Sequence, residues 1–185
     1  MGTHRGAHTP CMPLWGMYYA KCRSSLAHGH VRYIGTERRV TGWGPAMTYD
    51  LGIDLGTTST AAAVVRDSGT RPETVALGGR LAVVPSVAYR SADGTVLNGE
   101  SAERRAGDEP DRVVREVKRR LGDDVPPVVG GEPWPAEDVA AAIVAWVLAR
   151  VAEREGGPAR RVVVTRPATW GEFRCQRLRT ALAAA

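Results

Sequence analysis

The stretch Leu51-Gly52-Ile53-Asp54-Leu55-Gly56-Thr57-Thr58-Ser59-Thr60 gathers the groups that hold a phosphate and a hydrated metal ion. Asp54 is a carboxylate at the end of an expected strand, suited to the water shell of Mg²⁺. Gly56 lets the backbone turn tightly and approach an anion with no side chain in the way. Backbone N–H groups and hydroxyls of Thr57, Thr58 and Ser59 then supply donors for phosphate oxygens. A plain hairpin with an exposed aspartate also contains Asp-x-Gly-Thr, but the strands expected on both sides favour the phosphate reading. A second signal lies in Arg115-Glu116-Val117-Lys118-Arg119-Arg120-Leu121-Gly122. Lys118 is the only lysine among residues 47–185, against 18 arginines. A compact ammonium reaches a γ-phosphate and an attacking water as a point charge, where a planar guanidinium presents a different geometry. A solvated basic helix face would carry the same residues.

These groups need a scaffold, and its pattern starts abruptly at Tyr49. Tyr49–Leu55 and Ser59–Val65 read as strands around the turn Gly56-Thr57-Thr58, a hairpin. Asp67-Ser68-Gly69 makes the next turn. Glu73–Leu77, Val83–Tyr89 and Thr95–Leu97 are further strands, with Pro85 marking an edge or a bulge. Asp111 opens a helix through Leu121, ended by Gly122. Pro135 takes the first position of a long helix, with Glu137 and Asp138 in the first turn where the helix dipole favours acids. Val139, Ile143, Val147 and Val151 recur every four residues and predict one buried face. Gly156-Gly157-Pro158 stops that helix, Arg161–Thr165 reads as a short buried strand, and Phe173–Ala184 as another helix. Hairpins followed by helix–strand–helix indicate a mixed α/β architecture.

With 185 residues and a mass of 19.8 kDa, the chain is long enough for one domain with a core. Three cysteines, Cys11, Cys22 and Cys175, argue against a secreted disulfide scaffold. The longest apolar run, Val139–Ala149, has 11 residues and is too short to cross a bilayer. Pro13, Gly16 and Lys21 interrupt the only stretch resembling a signal peptide, so a cytoplasmic protein without membrane contact is expected. The net charge of +5 sits entirely in residues 1–46, which hold six basic residues and one acid. Residues 47–185 hold 19 of each sign. Nothing in that balanced part forms a phosphate-tracking groove, so no nucleic-acid partner is expected. Residues 1–46 are expected to be a disordered arm, or a stretch upstream of a true start at Met47. Cys11, Cys22, His28 and His30 match no common zinc-finger spacing.

The two motifs, in this order, resemble the nucleotide-binding domain of the heat-shock protein 70 (DnaK-type) chaperones. Val83-Val84-Pro85-Ser86, Pro135-Ala136-Glu137-Asp138-Val139 and Val163-Val164-Thr165-Arg166-Pro167-Ala168-Thr169-Trp170 support the likeness. It runs from about Tyr49 to the C-terminus. The resemblance implies an α/β, actin-like ATPase (ribonuclease H-like) fold, with ATP and Mg²⁺ as cofactors. It implies that Asp54 binds the Mg²⁺ water shell, and that Gly56, Thr57 and Thr58, with Ser59 beside them, cradle the β- and γ-phosphates. By the same resemblance, Lys118 would stabilise the transferring phosphoryl group and orient the attacking water, and Pro167 would be the interdomain switch. Two departures touch that switch: Cys175 stands where the family commonly has an arginine, and Arg166 replaces the usual valine. The family's second phosphate loop, adenosine-clasping lobe and peptide-binding domain would lie beyond Ala185. Residues 47–185 are therefore expected to be the first lobe only, truncated at the C-terminus, weak in ATP binding and hydrolysis alone. Unfolded clients and co-chaperones belong to a full-length form. A sugar-kinase-type phosphotransferase of the same fold, and a non-enzymatic interaction module built on an orphaned half-domain, are the alternatives.

Overall fold

Leu51, Ile53 and Leu55 alternate with Asp50, Gly52 and Asp54, and the three apolar side chains are at most 1% exposed. A period of two with one face in the core is what fixes a strand's register, and this strand is the centre of the sheet. The computed structural model describes residues 31–36, 49–67, 71–79 and 82–185. Cys11, Cys22, His28, His30 and Met47 lie outside them, as do Ser68 and Gly69 of the expected turn.

In chain order the described strands begin with β1 (Val31–Thr36), β2 (Tyr49–Leu55), β3 (Ser59–Arg66), β4 (Glu73–Val75) and β5 (Val83–Pro85). Then come β6 (Ala88–Arg90), β7 (Val96–Asn98), β8 (Val113–Val114), β9 (Val128–Val129), β10 (Glu132–Pro133) and β11 (Arg161–Pro167). The helices are α1 (Glu100–Arg105), α2 (Val117–Arg120), α3 (Ala136–Glu155) and α4 (Glu172–Ala184). The main sheet runs β1-β11-β2-β3-β4, with β5 also paired to β3. Only the β11–β2 pair is parallel in it. A second sheet has the order β7-β6-β8, and β9 and β10 form a separate ribbon. This is the mixed α/β class expected from the sequence.

Helix α3 has Val139, Ile143, Val147 and Val151 at most 1% exposed, as their spacing predicts. Ala140, Ala141 and Val144 are buried too, so the buried sector is wider than one stripe. Pro135 sits just before the helix, one residue earlier than expected, and its carbonyl accepts from the Asp138 and Val139 N–H groups. Gly156 ends the helix in the left-handed region at φ 77°. Two ties join this end of α3 to the sheet. Tyr49 donates its hydroxyl to the Gly157 carbonyl at 2.8 Å. Arg66 forks onto Glu155 with two bonds of 2.7 Å.

Two expectations need correction. Val83–Tyr89 is two strands in two sheets, because Pro85 has no N–H and Ser86 turns its own N–H to the Thr58 carbonyl at 2.8 Å. Asp111–Leu121 is not one helix. Pro110–Arg112 makes a single 3-10 turn, and the β-branched pair Val113-Val114 joins Ala88 and Tyr89 of β6 instead. Helix α1 carries no apolar stripe, only Ala102 being buried in it, which is why periodicity did not reveal it. Val31–Thr36, within residues 1–46, form a strand antiparallel to β11.

Ile143 is 1% exposed at the middle of α3. Ile143→Ala is expected to lower the unfolding free energy by roughly 2–5 kcal/mol. Equilibrium urea denaturation followed by circular dichroism measures this.

Candidate functional site

The turn between β2 and β3 is built around a lack of space. The Gly56 N–H points back at the Asp54 and Ser59 carbonyls, at 3.1 and 3.0 Å. A Cβ on Gly56 would lie 2.2 Å from the Ser59 carbonyl oxygen, so only glycine closes this turn. Its φ is not positive, which makes the requirement one of room and not of a left-handed backbone. Gly56 thus shapes the turn with its N–H already engaged, while the amides of Thr57 and Thr58 make no backbone hydrogen bond among the described residues. Thr57 is half-buried, and Thr58 and Ser59 are exposed. Consecutive amides left free on a tight turn are donors that can serve an anion. Behind it, the buried hydroxyls of Thr60 and Ser86 meet at 2.8 Å and fix the turn to the segment after β5.

Asp54 is the last polar residue of β2, on the face opposite Leu55. Parallel pairing sets Arg161 against Asp50 and Val164 against Ile53, so Thr165 arrives beside Asp54. Its hydroxyl donates to Asp54 Oδ1 at 2.6 Å, and no described residue donates to Oδ2. Thr165 is only 7% exposed, so the carboxylate is held by a side chain that cannot swing away. Sequence reading gave Thr165 no role. The signal was a threonine on one strand and an aspartate on another at matching depth, which becomes visible only once β2 and β11 are known to pair.

Lys118 comes from the one-turn helix α2. Glu116, the residue before this helix, is in the left-handed region at φ 51° and ψ 31° without being glycine. Val117 and Leu121 on either side are fully buried. The Lys118 Nζ donates to the Leu55 carbonyl at the very end of β2. Burial pushes its ammonium below the ordinary lysine value of 10.5, and the Asp54 carboxylate pulls the other way. The fold therefore brings together Asp54, Lys118, Thr165 and the turn from Gly56 to Ser59. Pro167 closes the same strand two residues beyond Thr165. Its carbonyl accepts from the Trp170 N–H at 3.3 Å and from Arg166 at 3.2 Å. Cys175 is wholly buried, with its sulfur 3.9 Å from the Trp170 carbonyl oxygen. Nearby Arg177 is paired with Glu137 at 2.6 Å.

Among the described residues no three His, Cys, Asp or Glu side chains converge to cage a metal ion. A single carboxylate with an open oxygen beside free amides suits Mg²⁺, which keeps its waters and is shared with substrate phosphates. No described helix is long and apolar enough to cross a membrane.

Comparison with known proteins places part of the chain in a family. The family model described as Hsp70 protein matches residues 50–130, which carry both the turn and Lys118. The chaperone protein DnaK of Thermosipho melanesiensis is 31% identical over 129 residues, covering 69% of this chain and 21% of the relative. Over these residues the chain belongs to the Hsp70 family. The DnaK of Cenarchaeum symbiosum is 33% identical over 124 residues, covering 64% of this chain and 18% of the relative. This Hsp70-family chain thus spans about a fifth of the length of the curated relatives it matches.

Two measurements follow from the geometry. Lys118 is expected to titrate below 10.5, and Asp54→Asn to lower it further by removing the charge that favours the ammonium. Lysine NMR over a pH series reads both shifts. Because the unfolded chain binds this proton more tightly, the Lys118 contribution makes stability rise with pH in the window below 10.5. Gly56→Ala is expected to cost roughly 1–3 kcal/mol, as overpacking does, read as a lowered thermal midpoint.

Proposed function

We propose that this chain supplies the phosphate-binding wall of an ATP-dependent chaperone ATPase, in the first lobe of an actin-like fold. What supports the reading is the convergence of Lys118 on the end of β2, 63 residues back along the chain, beside Asp54 and the open amides. In this reading Asp54, steadied by Thr165, holds the water shell of Mg²⁺. The amides and hydroxyls of Thr57, Thr58 and Ser59 hold the β- and γ-phosphates around the turn that Gly56 closes. When bound, Mg²⁺ neutralises charge that develops on the phosphate oxygens. Lys118 exchanges the Leu55 carbonyl for the γ-phosphate and the attacking water, stabilising the transferring phosphoryl group. An amine lightly disfavoured as a cation by burial gains most from an incoming anion.

These groups address phosphates and not base or ribose, so the nucleotide is gripped on one side. Affinity follows the share of ligand surface enclosed by pre-organised walls. The 185-residue chain alone therefore binds ATP–Mg²⁺ weakly, with a Kd of about 0.1 mM or higher, and hydrolyses it poorly. Unfolded clients, co-chaperones and a coupling role for Pro167 belong to a full-length form working in the cytoplasm.

Titration of ATP with and without Mg²⁺, followed by ³¹P line broadening, tests the assignment. Mg²⁺-dependent broadening strongest at the β- and γ-phosphates is expected, about tenfold weaker in affinity for Asp54→Asn and for Lys118→Ala. Broadening that ignores Mg²⁺ and both substitutions would sink it.

A further inference from the structure

Glu137 is a buried acid that the phosphate site does not use. It lies in the first turn of α3 and is 4% exposed. Its Oε1 accepts two bonds from different elements: the Gly122 N–H at 2.9 Å and the Arg177 Nε at 2.6 Å. Arg177 reaches Oε2 as well, at 3.4 Å. Burial pushes this carboxyl up, but the Arg177 guanidinium, the residue's own N–H and the Gly122 N–H together hold it below the ordinary glutamate value. It is therefore an anion at neutral pH, and a buried anion keeps its partners in place because leaving it unpaired is costly.

Gly122 is the residue after Leu121, just past the C-terminal end of α2, and α2 carries Lys118. One turn of helix cannot hold itself by its own hydrogen bonds. Val117 and Leu121 pin it to the core as two apolar anchors, which fix its depth but leave rotation about the line joining them. The Glu137 bond to the Gly122 N–H removes that rotation. Helix α4 secures the same point twice. Arg177 holds Glu137, and the Arg174 side chain covers Gly122 so closely that a Cβ there would sit 2.7 Å from its Cγ. Arg174 and Arg177 are three residues apart and so share one face of α4.

We propose that Glu137, held by Arg177, is a positioning residue that sets how Lys118 reaches the end of β2, so that α4 governs the phosphate corner without touching it. The functional weight of this rests on the proposed ATPase reading, but its physical content does not. With the ion pair intact, Lys118 is kept in its buried place against the Leu55 carbonyl. With the pair broken, α2 rolls and the amine moves toward water.

The sequence offers a clean probe, because Lys21 and Lys118 are its only lysines. In a Lys21→Arg background, ¹⁵N or ¹³C lysine NMR of the whole chain reports Lys118 alone. Glu137→Gln and the milder Arg177→Met, each in that background, are expected to move the Lys118 titration up toward 10.5. Both are also expected to weaken the Lys118–Leu55 contact, read as faster exchange of the ammonium protons. Arg177→Lys keeps the charge and is expected to restore most of the shift. Val151→Ala, at the far end of α3, lowers the thermal midpoint without moving Lys118. The proposal falls if Glu137→Gln and Arg177→Met leave the Lys118 titration where it is, or if Val151→Ala moves it as far. No nucleotide enters these measurements. A Lys118 shift with no change in Mg²⁺-dependent ATP broadening would sustain the positioning role and count against the ATPase reading.

Discussion

Parallel pairing of β2 with β11 requires a crossover that returns the chain to the same end of the sheet, and α3 is the crossover's long element. The hold of Thr165 on Asp54 depends on that pairing being in one register. A slip of one residue would turn Thr165 to the other face of the sheet, away from Asp54, and would take Arg161 from Asp50. The register is specified twice over. Val164 lies beside Ile53 in the core, and on the opposite face Asp50 accepts from Arg160 at 3.0 Å and from Arg161.

Buried charge is handled in a consistent way. Asp50, Glu137 and Glu155 are each largely removed from water, and each faces an arginine. The planar fork of arginine fills two carboxylate lone pairs at once, as Arg66 does on Glu155, which offsets desolvation better than a single ammonium can. Lys118 is the contrast. It is buried without a bonded carboxylate, its described partner is a backbone carbonyl, and Asp54 acts on it only through space. A cation left with a neutral partner at the edge of an open turn remains available to an anion, whereas the arginines are committed.

The hairpin, the long helix and the last strand–helix pair were legible because their signals are local. The alternation of Leu51, Ile53 and Leu55, the four-residue spacing from Val139 to Val151, and glycine after a helix all act within a few residues. What could not be read depends on distant partners. Val113-Val114 becomes strand because β6 is there to receive it, and Val83–Tyr89 divides because Thr58 and Thr60 capture Ser86. Of the candidate site, Asp54, the turn and Lys118 could be named from residue type and motif. Thr165 and Glu137 could not be singled out, since each is marked by a bond to a residue 15 or more positions away.

The left-handed Glu116 has a consequence for which substitutions this segment tolerates. A non-glycine residue in that region carries a backbone cost of roughly 1 kcal/mol, and its side chain recovers little through the exposed pair with Arg119. Natural variation at position 116 should therefore be filtered by backbone geometry more than by charge. Glycine, asparagine and aspartate fit the left-handed well more easily, while valine, isoleucine and threonine would drive the chain out of it. A position that looks like part of a basic, solvent-facing run is thus among the more constrained ones. Its constraint is inherited by Lys118 two residues later, since the path into α2 fixes where that side chain starts.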